Sequence, residues 1–322
     1  MQAIEIQTHG GPEVLTLVEA PQPQPGPGEV RVDLTATGVN FIETYQRSGY
    51  YPVALPFVPG AEGAGTVAAI GPGVDTVRVG DRVASVDLNG AYATSAIAAA
   101  DRVVAIPDAI TNETAAAALL QGLTAHYLLF DSYRVRAGDA VLVHAAAGGM
   151  GLLVTQLATK LGATVIGVVS TVEKEELARQ AGAAEVIRYG EADIAAEVRR
   201  ITGGAGVAAA YDGVGKDTFE SSLASLRRRG TLVLYGAASG AVPPFDPQRL
   251  QAAGSAFLTR PTLRHHVADR AELETRTRDV FGWIADGSLK IRIYDHYPLA
   301  DARRAHVDIE SRRTTGKLLL IP

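Results

Sequence analysis

His144-Ala145-Ala146-Ala147-Gly148-Gly149-Met150-Gly151 leaves the apolar run Ala140 to His144 and opens the helix-like stretch Met150 to Leu161. The fold turns on this stretch. Set against the spacing Gly-x-Gly-x-x-Gly, Ala146 stands at the first glycine, while Gly148 and Gly151 keep the second and third. Those two carry the physical demand: the second lets backbone N–H groups reach a pyrophosphate, and the third lets the helix pack against the strand. The start of the helix then offers unpaired N–H donors and the positive end of its dipole to phosphate. A glycine cluster alone also fits an ordinary strand-to-helix turn, so the surroundings must choose between the two.

Downstream, Thr164 to Val169 is an apolar, β-branched run, and Glu185 to Arg188, Val207 to Tyr211 and Thr231 to Tyr235 are further β-type runs. They alternate with the helical stretches Val172 to Ala181, Ile194 to Ile201 and Thr218 to Leu226. Repeated strand–helix units of this size predict a parallel sheet covered on both faces, which favours the nucleotide reading of the loop. Ser255 to Leu258 is expected to be the last strand of that sheet. Upstream lie Glu113 to Leu120 and Thr124 to Asp131, both expected to be helical, and before them an all-β module of short strands: Glu29 to Thr35, Gly65 to Ile70 and Asp81 to Val86. Pro21 to Gly28 is a surface loop. After Pro261 the pattern predicts a long helix through Trp283, a strand over Lys290 to Ile293, a short charged helix and a strand over Lys317 to Ile321.

The tip of the second strand of the nucleotide unit discriminates between cofactors. An NAD site places Asp or Glu there, about 20 residues past the glycines, to hold the ribose hydroxyls. Here the strand ends Val168-Val169-Ser170-Thr171, and Glu173 falls in the first turn of the next helix, where acids are favoured by the dipole alone. Lys174 beside these small hydroxyl residues suits a 2′-phosphate, which points to NADP. The plainer reading of Lys174 is a solvated charge on an exposed helix.

Composition sets the outer limits. The 322 residues are 47% hydrophobic, 30 basic side chains face 35 acidic ones for a formal charge of −5, and no stretch concentrates the basic ones. That balance argues against a dedicated nucleic-acid binder. The chain has no cysteine, which removes disulfides, thiolate nucleophiles and sulfur-bound zinc. No apolar run approaches the roughly 18 residues of a membrane span, and Met1 to Glu13 lacks a signal pattern, so a soluble cytoplasmic protein is expected.

End to end, the chain resembles the medium-chain dehydrogenase/reductase superfamily, in its zinc-free quinone oxidoreductase (zeta-crystallin-like) branch. The resemblance rests on His9 to Leu15, Gly38-Val39-Asn40-Phe41-Ile42-Glu43-Thr44-Tyr45, Arg47-Ser48-Gly49, Pro59 to Gly65, Gly80 to Val83, the glycine loop, Tyr211 to Gly215 and Thr259-Arg260-Pro261. It implies an α/β protein: a GroES-like β domain (1–121 and 262–322) around a doubly wound parallel-sheet Rossmann domain (122–261). Zinc members carry Cys after the Gly-Val pair and a Gly-His-Glu segment further on. Asn40 and Ala61 stand at those positions here, and Glu62 survives, expected to hold backbone or pair with a cation. Without a Lewis acid an alcohol is not readily deprotonated, so the chemistry runs toward reduction of an electrophilic acceptor.

By the same resemblance, Asn40, Tyr45 and Tyr51 lie beside the nicotinamide in the cleft between domains. There an amide is expected to bond an acceptor carbonyl or the carboxamide, and a tyrosine hydroxyl to stabilise or protonate a phenolate. NADPH is expected along Ala147, Gly148, Gly149, Met150 and Gly151, with Ser170, Lys174, Tyr189 and Arg312 (or Arg313 beside it) at the adenosine phosphate. Thr124 is expected to open the helix facing the pyrophosphate. Gly213, Tyr235, Gly236, Ser239, Leu258 and Arg260 line the nicotinamide side. His144 is expected to be a satisfied interior histidine. The implied activity is NADPH-dependent quinone reduction; reduction of an enal or enone double bond, and an RNA-binding or crystallin-like role, remain as alternatives. The last strand offers an edge for a homodimer.

Overall fold

The computed structural model describes all residues, Met1–Pro322. The chain divides into two compact units, 1–121 with 267–322, and 122–266, so that 262–266 fall with the central one.

The outer unit begins with a small antiparallel pair, β1 (Gln2–Glu5) and β2 (Thr16–Glu19). Its main sheet takes β3 (Glu29–Val39), β4 (Gly63–Ile70), β5 (Arg82–Ser85), β6 (Ser95–Ala99) and β7 (Val103–Ala105) from the front of the chain. The region is not purely β, since helix α1 (Phe41–Arg47) follows β3. On β3, Val30, Val32 and Leu34 point into a core with Val67, Val83 and Val103, as period-two alternation requires.

Helix α2 (Asn112–Tyr127) carries the chain into the central unit as one continuous helix, where the sequence suggests two. Gly122 costs a helix interior only about 1 kcal/mol, and burial of Ala115–Leu119, Leu123 and Ala125 offsets it. The central unit then alternates β8 (Ala140–His144), α3 (Gly149–Lys160), β9 (Thr164–Val169), α4 (Val172–Gln180), β10 (Glu185–Arg188) and α5 (Ile194–Ile201). It continues with β11 (Val207–Asp212), α6 (Phe219–Ser225), β12 (Leu226–Leu234), α7 (Gln248–Ala252) and β13 (Phe257–Thr259). The six strands are parallel in the order β10-β9-β8-β11-β12-β13. This is the doubly wound sheet the sequence predicts, built on buried residues such as Leu142, Ile166, Val168, Phe219 and Leu232.

The chain then returns to the outer unit. Helix α8 starts at Arg270, later than predicted, because Asp269 caps it by accepting from the Glu272 N–H at 2.9 Å; it ends at Ala285. The next strand, β14, is Ile293–Pro298 rather than Lys290 to Ile293. Helix α9 (Ala302–Glu310) and β15 (Lys317–Ile321) close the chain, β15 pairing antiparallel with β3 and parallel with β14. Thus β15 lies beside the end of β3, with Leu318 opposite Val39. No helix is long and apolar enough to cross a membrane.

Candidate functional site

The order of the parallel sheet reverses between β8 and β11, and ligands of open α/β sheets bind beyond the carboxyl ends of the strands at such a point. The glycine loop sits there. Gly148 is the N-cap of α3 in extended backbone, with no side-chain cap and no acid in the first turn, so the helix start keeps its N–H donors for a ligand. A Cβ on Gly151 would lie 2.2 Å from the Ala145 carbonyl oxygen and 2.7 Å from the Ala146 Cα. That contact explains the third glycine. The loop therefore has the donor set and the close backbone approach that a pyrophosphate requires.

At the tip of β9, Lys174 donates from Nζ to the Ser170 Oγ at 3.3 Å. Thr171 caps α4 by accepting from the Lys174 N–H, also at 3.3 Å. Burial pulls the Lys174 ammonium below its ordinary pKa. Glu173, in the exposed first turn, is held ionised more strongly than usual by backbone donors and the Thr171 hydroxyl. Tyr189 is tied to the same edge, its N–H donating to the Val169 carbonyl at 2.8 Å. Ser170, Lys174 and Tyr189 thus gather at one strand end.

Beneath Tyr189 runs a buried chain whose protons can be assigned. Asp212 accepts at Oδ1 from the N–H groups of Val214 (2.8 Å) and Gly215 (3.0 Å), and the Thr218 hydroxyl lies 2.8 Å from both carboxylate oxygens. The Ser222 hydroxyl donates to Asp212 Oδ2 at 2.7 Å, because a carboxylate only accepts. Ser222 Oγ therefore accepts from His144 Nε2–H at 2.9 Å, which leaves His144 Nδ1 to accept from the Tyr189 hydroxyl at 2.9 Å. Burial lowers the pKa of His144, with Asp212 opposing, so the ring is neutral, as this bonding requires. His144 is the satisfied interior histidine that the sequence suggests.

Gly213, Tyr235 and Gly236 meet where β11 and β12 end. A Cβ on Gly213 would strike the Tyr235 ring at 2.8 Å, and one on Gly236 would lie 2.4 Å from the Gly213 carbonyl oxygen. Ser239 joins them, its hydroxyl donating to the Val214 carbonyl at 2.8 Å and accepting from the Asp217 N–H at 2.9 Å. Leu258 lies on β13 and Arg260 just past its end, at the same edge of the sheet. Thr124 does not open a helix as expected: it lies in the last turn of the continuous α2, buried.

In the outer unit, Asn40 ends β3 and caps α1, its N–H donating to Glu43 Oε2 at 2.6 Å. Tyr45, one turn into that helix, and Tyr51 are brought together with ring centroids 5.2 Å apart, and Tyr50 packs on both. The side chain of Asn40 is buried in a charged cluster. Lys317 Nζ donates to Asn40 Oδ1 at 2.5 Å and to Glu62 Oε2 at 2.6 Å, and Asn40 Nδ2 donates to the same Glu62 oxygen at 2.9 Å. Glu62 Oε1 accepts from the Leu120 N–H at 2.6 Å. Glu62 thus holds backbone and pairs with a cation, both of the roles expected of it. A Cβ on Gly38 would sit 2.2 Å from Glu62 Oε2, so the glycine before Val39 makes room for the carboxylate.

Glu43, fully buried, completes the cluster; one carboxyl oxygen is taken by Asn40 and the other has no partner. Burial raises its pKa to about 8, against the opposing pull of Lys317. The sequence gives little sign of Lys317, a single cation opening an apolar strand, until β15 places it opposite Asn40 and Glu62. Arg312 lies in the turn after α9 with φ +60°, and Arg313 beside it donates to the Ser311 hydroxyl from both N–H and Nε.

The front and middle of the chain match family models for the alcohol dehydrogenase GroES-like domain (residues 26–135) and the zinc-binding dehydrogenase (residues 149–271). The quinone oxidoreductase of Escherichia coli, solved in complex with NADPH, is 44% identical over the whole of both chains with a TM-score of 0.98. A mycobacterial protein, also solved with NADPH, is 54% identical over both full chains with a TM-score of 0.98. A 2-haloacrylate reductase of Burkholderia is 41% identical over 330 residues, covering 100% of this chain and 99% of its own. The chain belongs to the quinone oxidoreductase family of the zinc-binding dehydrogenase superfamily. The superfamily name implies zinc, but the donor set does not fit one. Asn40 and Ala61 offer no metal ligand, cysteine is absent, and no three His, Asp or Glu side chains converge.

Proposed function

We propose that the chain is an NADPH-dependent quinone oxidoreductase that works without a metal. The observation that carries this reading is the uncapped glycine start of α3 at the switch point of the sheet, with Lys174 and Ser170 in place of an acid at the neighbouring strand end. Bound there, NADPH supplies a hydride to the acceptor. The backbone of Ala147, Gly148, Gly149, Met150 and Gly151 holds the pyrophosphate, and Ser170 and Lys174 hold the 2′-phosphate. Tyr189 borders that phosphate, and Arg312 adds a second cation. The junction of Gly213, Tyr235, Gly236 and Ser239, with Leu258 and Arg260, positions the nicotinamide end, and Thr124 faces the pyrophosphate. Asn40, Tyr45 and Tyr51 meet the acceptor: the amide bonds its carbonyl oxygen and the tyrosines cover its ring.

The edge strand β13, paired only with β12 and carrying Phe257 at 60% exposure, joins two copies into a homodimer in the cytoplasm. A second reading, reduction of an activated carbon–carbon double bond, draws on the 2-haloacrylate reductase and needs the same hydride donor. Rates of NADPH and NADH oxidation against ortho- and para-quinones and enones separate the two. Turnover with quinones and little with enones is expected, with NADPH preferred; the reverse order of acceptors would select the second reading. Lys174→Glu should weaken NADPH by about 100-fold relative to NADH, since the carboxylate repels the 2′-phosphate. Equal binding of both cofactors by the unmodified protein, measured by equilibrium titration, would remove the role given to Lys174.

A further inference from the structure

We propose that Lys317 is a positioning residue for the acceptor site, holding the Asn40 amide in the one orientation that presents an N–H to a carbonyl oxygen. The proposal rests on the reading that Asn40 meets the acceptor. An asparagine amide is close to symmetric in shape, so by itself it would present oxygen or nitrogen with equal ease. Its neighbours here remove that freedom. An ammonium has only hydrogens to give and a carboxylate only lone pairs, so Lys317 must face Oδ1 and Glu62 must face Nδ2, as found at 2.5 and 2.9 Å. The flipped amide would set donor against donor and acceptor against acceptor in a site where all three residues are at most 4% exposed.

The Nδ2 hydrogen left over has only the Gly38 carbonyl, at 3.4 Å and thus at the long limit of a hydrogen bond. A quinone carbonyl can only accept, and that hydrogen is the one donor Asn40 has for it. Lys317 also polarises the amide through its oxygen, so the N–H strengthens as negative charge grows on the acceptor. Glu62 keeps the cation in place and balances it.

Three sets of variants test this with NADPH and a para-quinone. Asn40→Asp keeps the shape and the Lys317 contact but removes the hydrogen, and it should lower kcat with the quinone by about 100-fold, as Asn40→Ala does. Because Asn40→Asp also sets a carboxylate against Glu62, its melting temperature is checked, and retained turnover in the folded variant would overturn the proposal. Because Lys317→Met strands the Glu62 charge, Lys317→Met/Glu62→Gln is made alongside it and its melting temperature checked. That neutral pair should lower quinone kcat by about tenfold while the NADPH dissociation constant, from equilibrium titration, moves less than about threefold. Introduced into Asn40→Ala, the same pair should add less than about a twofold loss, because its effect passes through the amide. Multiplying losses in that background, or unchanged turnover in the folded pair, would overturn the role of Lys317. Unchanged quinone turnover in Asn40→Ala would instead remove Asn40 from the acceptor site, and the reading beneath the proposal would fall first.

Discussion

Each unit of the protein buries a polar network, and the two are built on opposite plans. In the outer unit a cation and an anion, Lys317 and Glu62, pair directly and both bond Asn40, with a second carboxyl, Glu43, beside them. In the central unit one anion, Asp212, is satisfied by neutral donors alone: two backbone N–H groups and the hydroxyls of Thr218 and Ser222. The first plan depends on charge balance, so losing one member strands another in a dry site. The second depends on hydrogen-bond direction, so changing one member redirects protons along the line to Tyr189.

The largest break in this contrast comes from Glu62→Ala. It leaves the Lys317 ammonium buried without its counter-ion, and a loss of about 3–5 kcal/mol in urea unfolding is expected. Asp212→Asn is a milder break, which keeps volume and an oxygen for the loop N–H groups. A cost of about 1–2 kcal/mol is expected there. Its amide then donates to Ser222, which must turn its own hydrogen toward His144 Nε2. His144 would carry its proton on Nδ1 and return a hydrogen bond to the Tyr189 oxygen. Nitrogen chemical shifts of the His144 ring in the two proteins check this: a ring that stays Nε2-protonated in the variant would refute the proton assignment.

The contrast is also sharpened through pH. Glu43 has a pKa raised from 4.5 to about 8, so the folded protein binds its proton more tightly than the unfolded chain does. That stabilisation is complete below pH 4.5 and is lost as pH rises through about 8. Glu43→Gln should therefore match the wild type near the acid end of this range and exceed it in stability above about pH 8, read from urea midpoints across pH. His306, in the same unit, has the opposite sign. Burial and the adjacent Arg47 lower its pKa to about 3, so its contribution is held above pH 6.5 and lost as pH falls through about 3. Comparing the variant with the wild type at each pH cancels that background.

The central unit was the more legible half. Strands such as β8, β9 and β11 are apolar runs, α4 and α5 start on the capping residues Thr171 and Asp193, and the glycine loop couples a local pattern to a definite geometry. Errors fell where local signals were weak. The pattern divides Glu113 to Leu120 from Thr124 to Asp131, yet packing of the alanine-rich faces carries α2 through Gly122, and Thr124 lies in its last turn rather than at a helix start. Lys290 to Ile293 is β-type and predicts the strand after α8 too early, whereas the observed partners of β15 run from Ile293 to Pro298. In the outer unit, Asn40 replaces a metal ligand and Glu62 survives from the metal motif, but their partner Lys317 is 277 residues from Asn40 and no local pattern joins them.

By itself, the sequence determined the parallel nucleotide sheet, the glycine loop, the absence of an acid at the β9 tip and the lack of metal ligands at positions 40 and 61. These are properties of periodicity, of residue type and of short spacings, which are written in contiguous residues. The tertiary structure decided which way each hydrogen bond runs. Asn40 turns its nitrogen toward Glu62 because β15 brings an ammonium to its oxygen, and Tyr189 gives its hydrogen to His144 because α6 sets Ser222 between that ring and Asp212. Direction in a buried network follows from the one group that can only accept or only donate, and folding alone determines which groups such a residue meets.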